Sequence, residues 1–259
     1  MQIPTISLKV MSFNIRYGTA DDGENSWPLR NDAVIEFLGT SGYDIIGLQE
    51  VLFEQLQEIR RALPHFHWVG VGRDDGETQG EYSAILFDSR RVTVNSSDTF
   101  WFSKTPAVVA STSWGNELTR VCTHGTFEVG GHAFDFYNLH IDHESAISRL
   151  KSIEHLLQRI HAKGSSNPVI VTGDFNEGED GPAVELMERA GFDETYRAMN
   201  PEGPEQATYH GWKGTIHGEK IDFIFAKGVR EILDSAIVRE NPFRKYLSDH
   251  YPVVATLLV

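Results

Sequence analysis

Apolar runs that break off abruptly into carboxylate, amide or imidazole side chains recur along this chain and constrain its fold more than any other feature. The run over residues 6–13 ends at Asn14, 44–48 at Gln49 and Glu50, 133–139 at His140, and 168–173 at the step Gly173-Asp174-Phe175-Asn176. Two more polar groups adjoin apolar strands at Ile221-Asp222 and at Ser248-Asp249-His250. The runs 44–48 and 168–173 are near-continuously apolar, as strands covered on both faces are. A single Asp or Asn after a strand is ordinarily a turn residue. A whole set of such ends, supplying carboxylates, amides and imidazoles, describes rigid supports for chemistry.

The remaining pattern extends this picture. Runs at 82–87, 91–102, 119–128 and 251–257 carry β-branched or aromatic residues bounded by turn formers. Helices are predicted over 29–39, behind Trp27-Pro28, and over 53–62. Two more are predicted from Ser145 to Ala162 and from Pro182 to Ala190. In the third of these, Ile147, Leu150, Ile153, Leu156, Leu157 and Ile160 share one face; the fourth stops at Gly191 as a left-handed cap would. Long antiparallel-looking runs with few helices suggest two packed sheets covered by helices rather than an alternating barrel. No repeat, low-complexity tract or long linker divides the 259 residues, so a single domain over 1–259 is the simplest expectation.

Charge narrows the partners. The chain carries 23 Lys and Arg against 37 Asp and Glu, a formal −14. That balance argues against holding long nucleic acid, because such affinity comes from cations displacing counterions. A small anionic substrate is acceptable if a metal ion or a local arginine cluster reverses the field. The one cysteine, Cys122, removes any internal disulfide and any thiolate metal site, which fits a reducing compartment. Neither a signal-like amino terminus nor an apolar stretch of about 18 residues is present. A cytoplasmic location without a membrane partner is therefore expected.

The ligand types then point to a hard cation. Glu50 and Asp249 are carboxylate donors and Asn14 and Asn176 are neutral oxygen donors, a set that suits Mg2+ or Mn2+, with Glu50 the principal ligand. Zinc is the alternative at His140-Ile141-Asp142-His143, but strand alternation sets His143 opposite His140 and Asp142. The first His of the metallo-β-lactamase-like zinc pattern is also missing, its place taken by Asn138. His250 is the candidate imidazole, Asp222 its orienting partner, and Asp174 the group that positions or deprotonates water. Asn176 and His140 are candidates to donate to a phosphate oxygen. Simpler roles stay open for His140, which can cap a strand, and for Asp249, which can cap the turn before Tyr251-Pro252.

Six ordered segments carry a family resemblance. They are Ser12-Phe13-Asn14-Ile15-Arg16, Ile46-Gly47-Leu48-Gln49-Glu50-Val51, Asn138-Leu139-His140-Ile141-Asp142, Val171-Thr172-Gly173-Asp174-Phe175-Asn176, Lys220-Ile221-Asp222-Phe223-Ile224-Phe225 and Leu247-Ser248-Asp249-His250-Tyr251-Pro252-Val253. Together they resemble the motifs of the endonuclease/exonuclease/phosphatase superfamily over nearly the whole chain. The resemblance implies an α/β fold, a four-layer α/β/β/α sandwich of two packed mixed sheets flanked by helices, with the active site at one end of the sheets. It implies Glu50 as main metal ligand with Asn14 and Asp249 nearby, Asp174 and Asn176 as water-activating and phosphate-contacting groups, and Asp222–His250 as the Asp–His pair. A histidine at position 140, where abasic-site endonucleases have tyrosine, moves the reading away from DNA repair.

The segment Asn14-Ile15-Arg16-Tyr17 with Arg30 is similar to a small bacterial and fungal branch of the superfamily, and makes Arg16, Arg30 and Arg120 candidate anion-binding groups. Surface ion pairing is the plainer role for each. Thr208–Gly214 is loop-like, with aromatics that either line a pocket or pack the loop. The chain departs from the branch at His124, where tryptophan is expected, so pocket shape differs. The expected activity is Mg2+- or Mn2+-dependent hydrolysis of a small phosphate monoester or diester by in-line attack of water. The alternatives are a nuclease acting on DNA or RNA ends, a lipid or inositol-phosphate phosphatase, and a non-catalytic module retaining the fold.

Overall fold

Period-two alternation sorts the side chains of the central strands onto two faces, and each face finds its own core. A computed structural model describes residues 5–203, 206–239 and 246–259. The first half of the chain forms β1 (Ser7–Asn14), α1 (Trp27–Thr40), β2 (Ile45–Val51), α2 (Phe53–Ala62), β3 (Phe66–Val69), β4 (Tyr82–Asp88), β5 (Val92–Trp101) and β6 (Val121–Val129). The second half forms β7 (His132–His140), α3 (Ala146–Lys163), β8 (Val169–Asp174), α4 (Pro182–Arg189), β9 (Asp193–Glu194), α5 (Thr195–Met199), β10 (Asp222–Lys227), β11 (Glu231–Ile237) and β12 (Val253–Leu258).

Two six-stranded sheets result, ordered β11-β12-β1-β2-β4-β3 and β5-β6-β7-β8-β10-β9. Each is mixed: β1–β2 and β7–β8 are parallel pairs among antiparallel neighbours. Leu8, Val10, Ile45 and Ile85 meet Phe127, Phe134, Phe136 and Ile170 between the sheets. Met11, Phe13, Ile46 and Leu48 pack outward on Val34 and Leu38 of α1 and on Leu56 and Ile59 of α2. On the other side Leu139, Val171, Phe223 and Phe225 pack on Ile153 and Leu156 of α3 and Met187 of α4. The order helix, sheet, sheet, helix is the expected four-layer sandwich. Each fully buried Phe or Leu contributes roughly 1.5–3 kcal/mol.

The layer between the sheets is apolar along most of its length and polar at one end. Continuing the alternation of β1 past Leu8 and Val10 gives Ser12 and Asn14; β7 continues from Phe134 and Phe136 to Asn138 and His140, and β8 from Ile170 to Thr172 and Asp174. Asn138 ties the layers together: its amide donates to Leu48 O and Ala84 O, both at 2.8 Å, while its Oδ1 accepts from Gln49 Nε2 at 2.7 Å and Thr172 Oγ1 at 3.0 Å. Position 47 admits only glycine, since a Cβ there would lie 2.1 Å from Thr172 Oγ1 and 2.5 Å from Asn138 Oδ1. Gln49 thus belongs to the packing between sheets rather than to the reactive end.

Local signals placed most elements within a residue or two. Pro28 stands at the start of α1, Ser145 Oγ caps α3 by accepting from Ser148 N, and Gly191 adopts φ 83° just beyond α4. Ile147 is a correction: it is 67% exposed, while Ser148 and Ser152 turn inward, because the first turn of α3 carries it away from the sheet. The strands β3, β9 and β11 escape the sequence pattern. The first two span only Phe66–Val69 and Asp193–Glu194, and β11 is a sheet-edge strand whose charged residues blur any alternation. Among the described residues no helix is long and apolar enough to cross a membrane.

Candidate active site

Strand register brings three ionisable groups into one row. His140 of β7 lies opposite Asp174 of β8, and Asp222 of β10 lies opposite the same Asp174. The segment before β12 completes the set. His210 N donates to Asp249 O at 2.8 Å and Tyr251 N to Thr208 O at 2.8 Å, which seats His250 over the row. His250 Nδ1 is 2.9 Å from Asp222 Oδ2, and its Nε2 is 3.9 Å from Asp174 Oδ2. His140 Nε2 approaches the same Asp174 oxygen at 3.7 Å. Asn14 Nδ2 donates to Asp174 Oδ2 at 3.0 Å and to Glu50 Oε1 at 3.1 Å, coupling the row to the other sheet.

Backbone strain aims several of these groups. The β2–β4 pairing shifts register between Leu48 and Val51, a bulge at which Glu50 takes φ 59°. Arg16 and Asn176 also have positive φ, 60° and 49°. Each such residue costs on the order of 1 kcal/mol, which the surrounding packing sustains. The Arg16 guanidinium binds Asp22 through Nε at 3.1 Å and Nη2 at 3.2 Å, and lies 3.9 Å from Glu50 Oε2 and 3.8 Å from Asp249 Oδ2. Glu50 and Asp249 therefore converge on one positive charge. A cation set between them meets hard oxygen donors and no thiolate, so the pair fits Mg2+ or Mn2+.

A second group of metal-type ligands, Asp174, Asp222 and His250, has donor atoms within 4.8 Å of one another. The Asp222 hydrogen bond engages His250 Nδ1, so this trio is better suited to moving protons than to caging an ion. Burial, reinforced by Asp222 and opposed by His250, pushes the Asp174 carboxyl up to about 7. Burial disfavours charge on His250, yet Asp222, Asp174 and Asp249 outweigh it and push the imidazole up to about 10. His140 goes the other way: burial, then Arg120 and Arg73, lowers it well below its ordinary value and leaves a neutral ring.

These groups open onto a cavity of about 380 Å3 lined by Arg16, Glu50, Asp174, Asn176, Asp249 and His250 and also by Arg73, Glu81, Arg120 and His143, with His140 between Asp174 and Glu81. Several expected roles change in detail. Asn14, expected near the metal, presents its nitrogen to Glu50 and Asp174 while its Oδ1 accepts from Arg16 N at 3.0 Å, so in this arrangement it braces the two carboxylates. The Asn176 amide is occupied by Ile141 O and His140 Nε2, both at 3.0 Å, which fixes His140 with its remaining proton on Nδ1. Arg30 does not face a substrate: it is 2% exposed and donates to the carbonyls of Ile15, Arg16, Asn25 and Leu247. The alternation that separated His143 from His140 fails because β7 ends at His140, and both line the cavity.

Arg120 does reach the cavity, 3% exposed, with Nε 3.4 Å from Asp142 and Nη2 2.7 Å from His143 Nδ1. Of the Thr208–Gly214 aromatics, Tyr209 lines the cavity, whereas Trp212 packs over Arg30 with 5.4 Å between guanidinium and ring. Sequence reasoning missed Arg73, Glu81 and Tyr17. The first two sit in and beside a polar loop whose residues match no motif, and only the fold carries that loop to the cavity.

Fold and cavity together define a class, the sandwich hydrolases whose reacting groups gather between two sheets at one end. The chain belongs to the Endonuclease/Exonuclease/phosphatase family, whose sequence model matches residues 11–250. It is similar to an endonuclease/exonuclease/phosphatase from Bacteroides vulgatus, 32% identical over 97% of this chain and 98% of that one, with a TM-score of 0.89. A mannosyl-6-phosphatase from Bacteroides thetaiotaomicron is 28% identical over 97% and 100% of the two chains, with a TM-score of 0.89. An uncharacterised protein of Acanthamoeba polyphaga mimivirus is 26% identical over 205 residues, 74% of this chain and 75% of its own.

Proposed function

We propose that this protein is a Mg2+- or Mn2+-dependent phosphoesterase that hydrolyses a small phosphate ester by in-line attack of water. The observation that carries the reading is the meeting of Asp174, with its Asp222 and His250 neighbours, and the Glu50–Asp249 carboxylates in one cavity of small-ligand size. Glu50 and Asp249 would hold a divalent ion, which would supply neutralisation of phosphoryl charge. The rest falls to the chain. Asp222 holds His250 in its protonated state, so Nε2 donates toward a phosphoryl oxygen. Asp174, titrating near neutrality, accepts the proton of the attacking water. Arg16, beside the Glu50–Asp249 carboxylates, flanks the phosphate.

A small substrate is favoured by the formal charge of −14 and the bounded cavity, and likeness to a mannosyl-6-phosphatase favours a monoester. The test is a panel of sugar phosphates, nucleotides, inositol phosphates and short oligonucleotides with Mg2+ or Mn2+, run with and without EDTA. Turnover of small esters is expected, lost with EDTA and nearly abolished by His250→Ala in a protein that still melts cooperatively. Preferential cleavage of oligonucleotides overturns the small-molecule part; a fully active His250→Ala overturns the mechanism.

A further inference from the structure

We propose that the wall formed by Arg73, Glu81, Arg120 and His143 is a leaving-group subsite that selects phosphate esters of uncharged, polyhydroxylated alcohols of about hexose size. The proposal rests on the phosphoesterase reading and assigns the part of the cavity which that reading leaves unused.

Position comes first. The His140 ring lies between the two regions, with Nε2 3.7 Å from Asp174 Oδ2 and Nδ1 3.9 Å from Glu81 Oε2. The wall beginning at Glu81 lies beyond His140 from Asp174, and we assign to it the ester oxygen of a phosphate seated by Asp174 and His250. That wall is rigid. Arg73 and Glu81 form a two-pronged contact, Nη1 to Oε2 at 2.7 Å and Nη2 to Oε1 at 2.9 Å, and Arg73 N donates to Glu81 O at 3.2 Å. From behind, Trp101 Nε1 donates to Arg73 O at 2.7 Å.

Charge decides what the wall accepts. Arg73 is matched by Glu81, and Arg120 by Asp142, so neither guanidinium is left over for a second phosphate. What remains is a set of donors and acceptors side by side. Guanidinium and imidazole N–H groups donate and the Glu81 carboxylate accepts, which suits vicinal hydroxyls that must do both. Among the described residues Arg73 Nε, 3.9 Å from Asp74 Oδ1, and His140 Nδ1, 3.9 Å from Glu81 Oε2, are buried without a hydrogen-bond partner, polar capacity that a water between them and a hydroxylated ligand would use. Tyr209 and Leu118, 51% and 45% exposed, border the same cavity and offer apolar surface to the C–H face of a ring. A site built around hydroxyls rejects analogues that lack them, because its buried polar groups are then unpaired.

The test compares kcat/KM for mannose 6-phosphate, glucose 6-phosphate, fructose 1,6-bisphosphate and phenyl phosphate in the Mg2+-loaded enzyme and in Glu81→Gln and His143→Ala. The wild type should prefer the hexose monophosphates to both other substrates. In each variant the ratio of hexose phosphate to phenyl phosphate turnover should fall about ten-fold or more, chiefly through KM. His143 is half exposed, so its variant guards against misfolding of Glu81→Gln. Turnover of phenyl phosphate with ratios unchanged in both variants, or a wild-type preference for the bisphosphate, overturns the subsite alone. No turnover of any ester overturns the phosphoesterase reading, and the subsite with it.

Discussion

Asp222→Asn isolates the electrostatics of the site, because the variant keeps the shape of the side chain while removing its charge. Asp222 is fully buried and accepts from His250 Nδ1 at 2.9 Å. Lifting the imidazole from 6.5 to about 10 corresponds to about 5 kcal/mol of preference for the protonated ring. Burial opposes that lift, and Asp222 is the largest of the attractions that overcome it, ahead of Asp174 and Asp249. In the variant the ring should titrate at least about two pH units lower. The alkaline limb of the pH–rate profile should move down with it, and kcat at pH 9 should fall about ten-fold or more. Stability gives an independent check. A raised imidazole contributes stability that is complete below 6.5 and lost as pH rises through about 10, so the urea-unfolding gap between wild type and variant should narrow across that window. The assays are a 15N-detected imidazole titration, the pH–rate profile and urea melts at pH 6 and pH 10. An unchanged ring titration together with an unmoved alkaline limb would falsify the Asp222–His250 assignment.

Glu50→Gln should weaken Mg2+ or Mn2+ binding about ten-fold or more in calorimetry on the metal-free protein, and an unaltered isotherm contradicts the ligand role. Arg30→Met strips donors from four carbonyls and should lower Tm by about 10 °C without rescue by Arg30→Lys, since one ammonium cannot span them. A normal Tm with a raised KM would return Arg30 to the substrate. Gly47→Ala forces a methyl onto Thr172 Oγ1 and Asn138 Oδ1 and should cost about 3 kcal/mol in chemical denaturation; wild-type stability would mean that the sheets are not so closely apposed there.

Much of the site was legible in one dimension because a buried strand has few reasons to end in a carboxylate or an imidazole. Asn14, Glu50, His140, Asp174, Asp222, Asp249 and His250 stood out as interruptions of apolar runs, and motif order extended them to the four-layer sandwich. Roles that depend on which atom faces which neighbour were not legible. Arg30 looks like any anion-binding arginine until four carbonyls are found around it, and nothing in one dimension shows that the Asn14 nitrogen spans Glu50 and Asp174. The Arg73–Glu81 fork lies in a loop without periodicity or motif, and only tertiary packing sets it across from Asp174.

Composition and alternation depend on solvent, and solvent writes itself into a chain residue by residue. The strands, their inward faces and the chemical types at their tips could therefore be read before any coordinates. Distance, pairing and proton affinity depend on groups far apart in the chain, such as Asn14 and Asp174 or Asp222 and His250. Their strength comes from burial that exists only once the two sheets have closed on each other, so the fold alone decided which of the candidates work together.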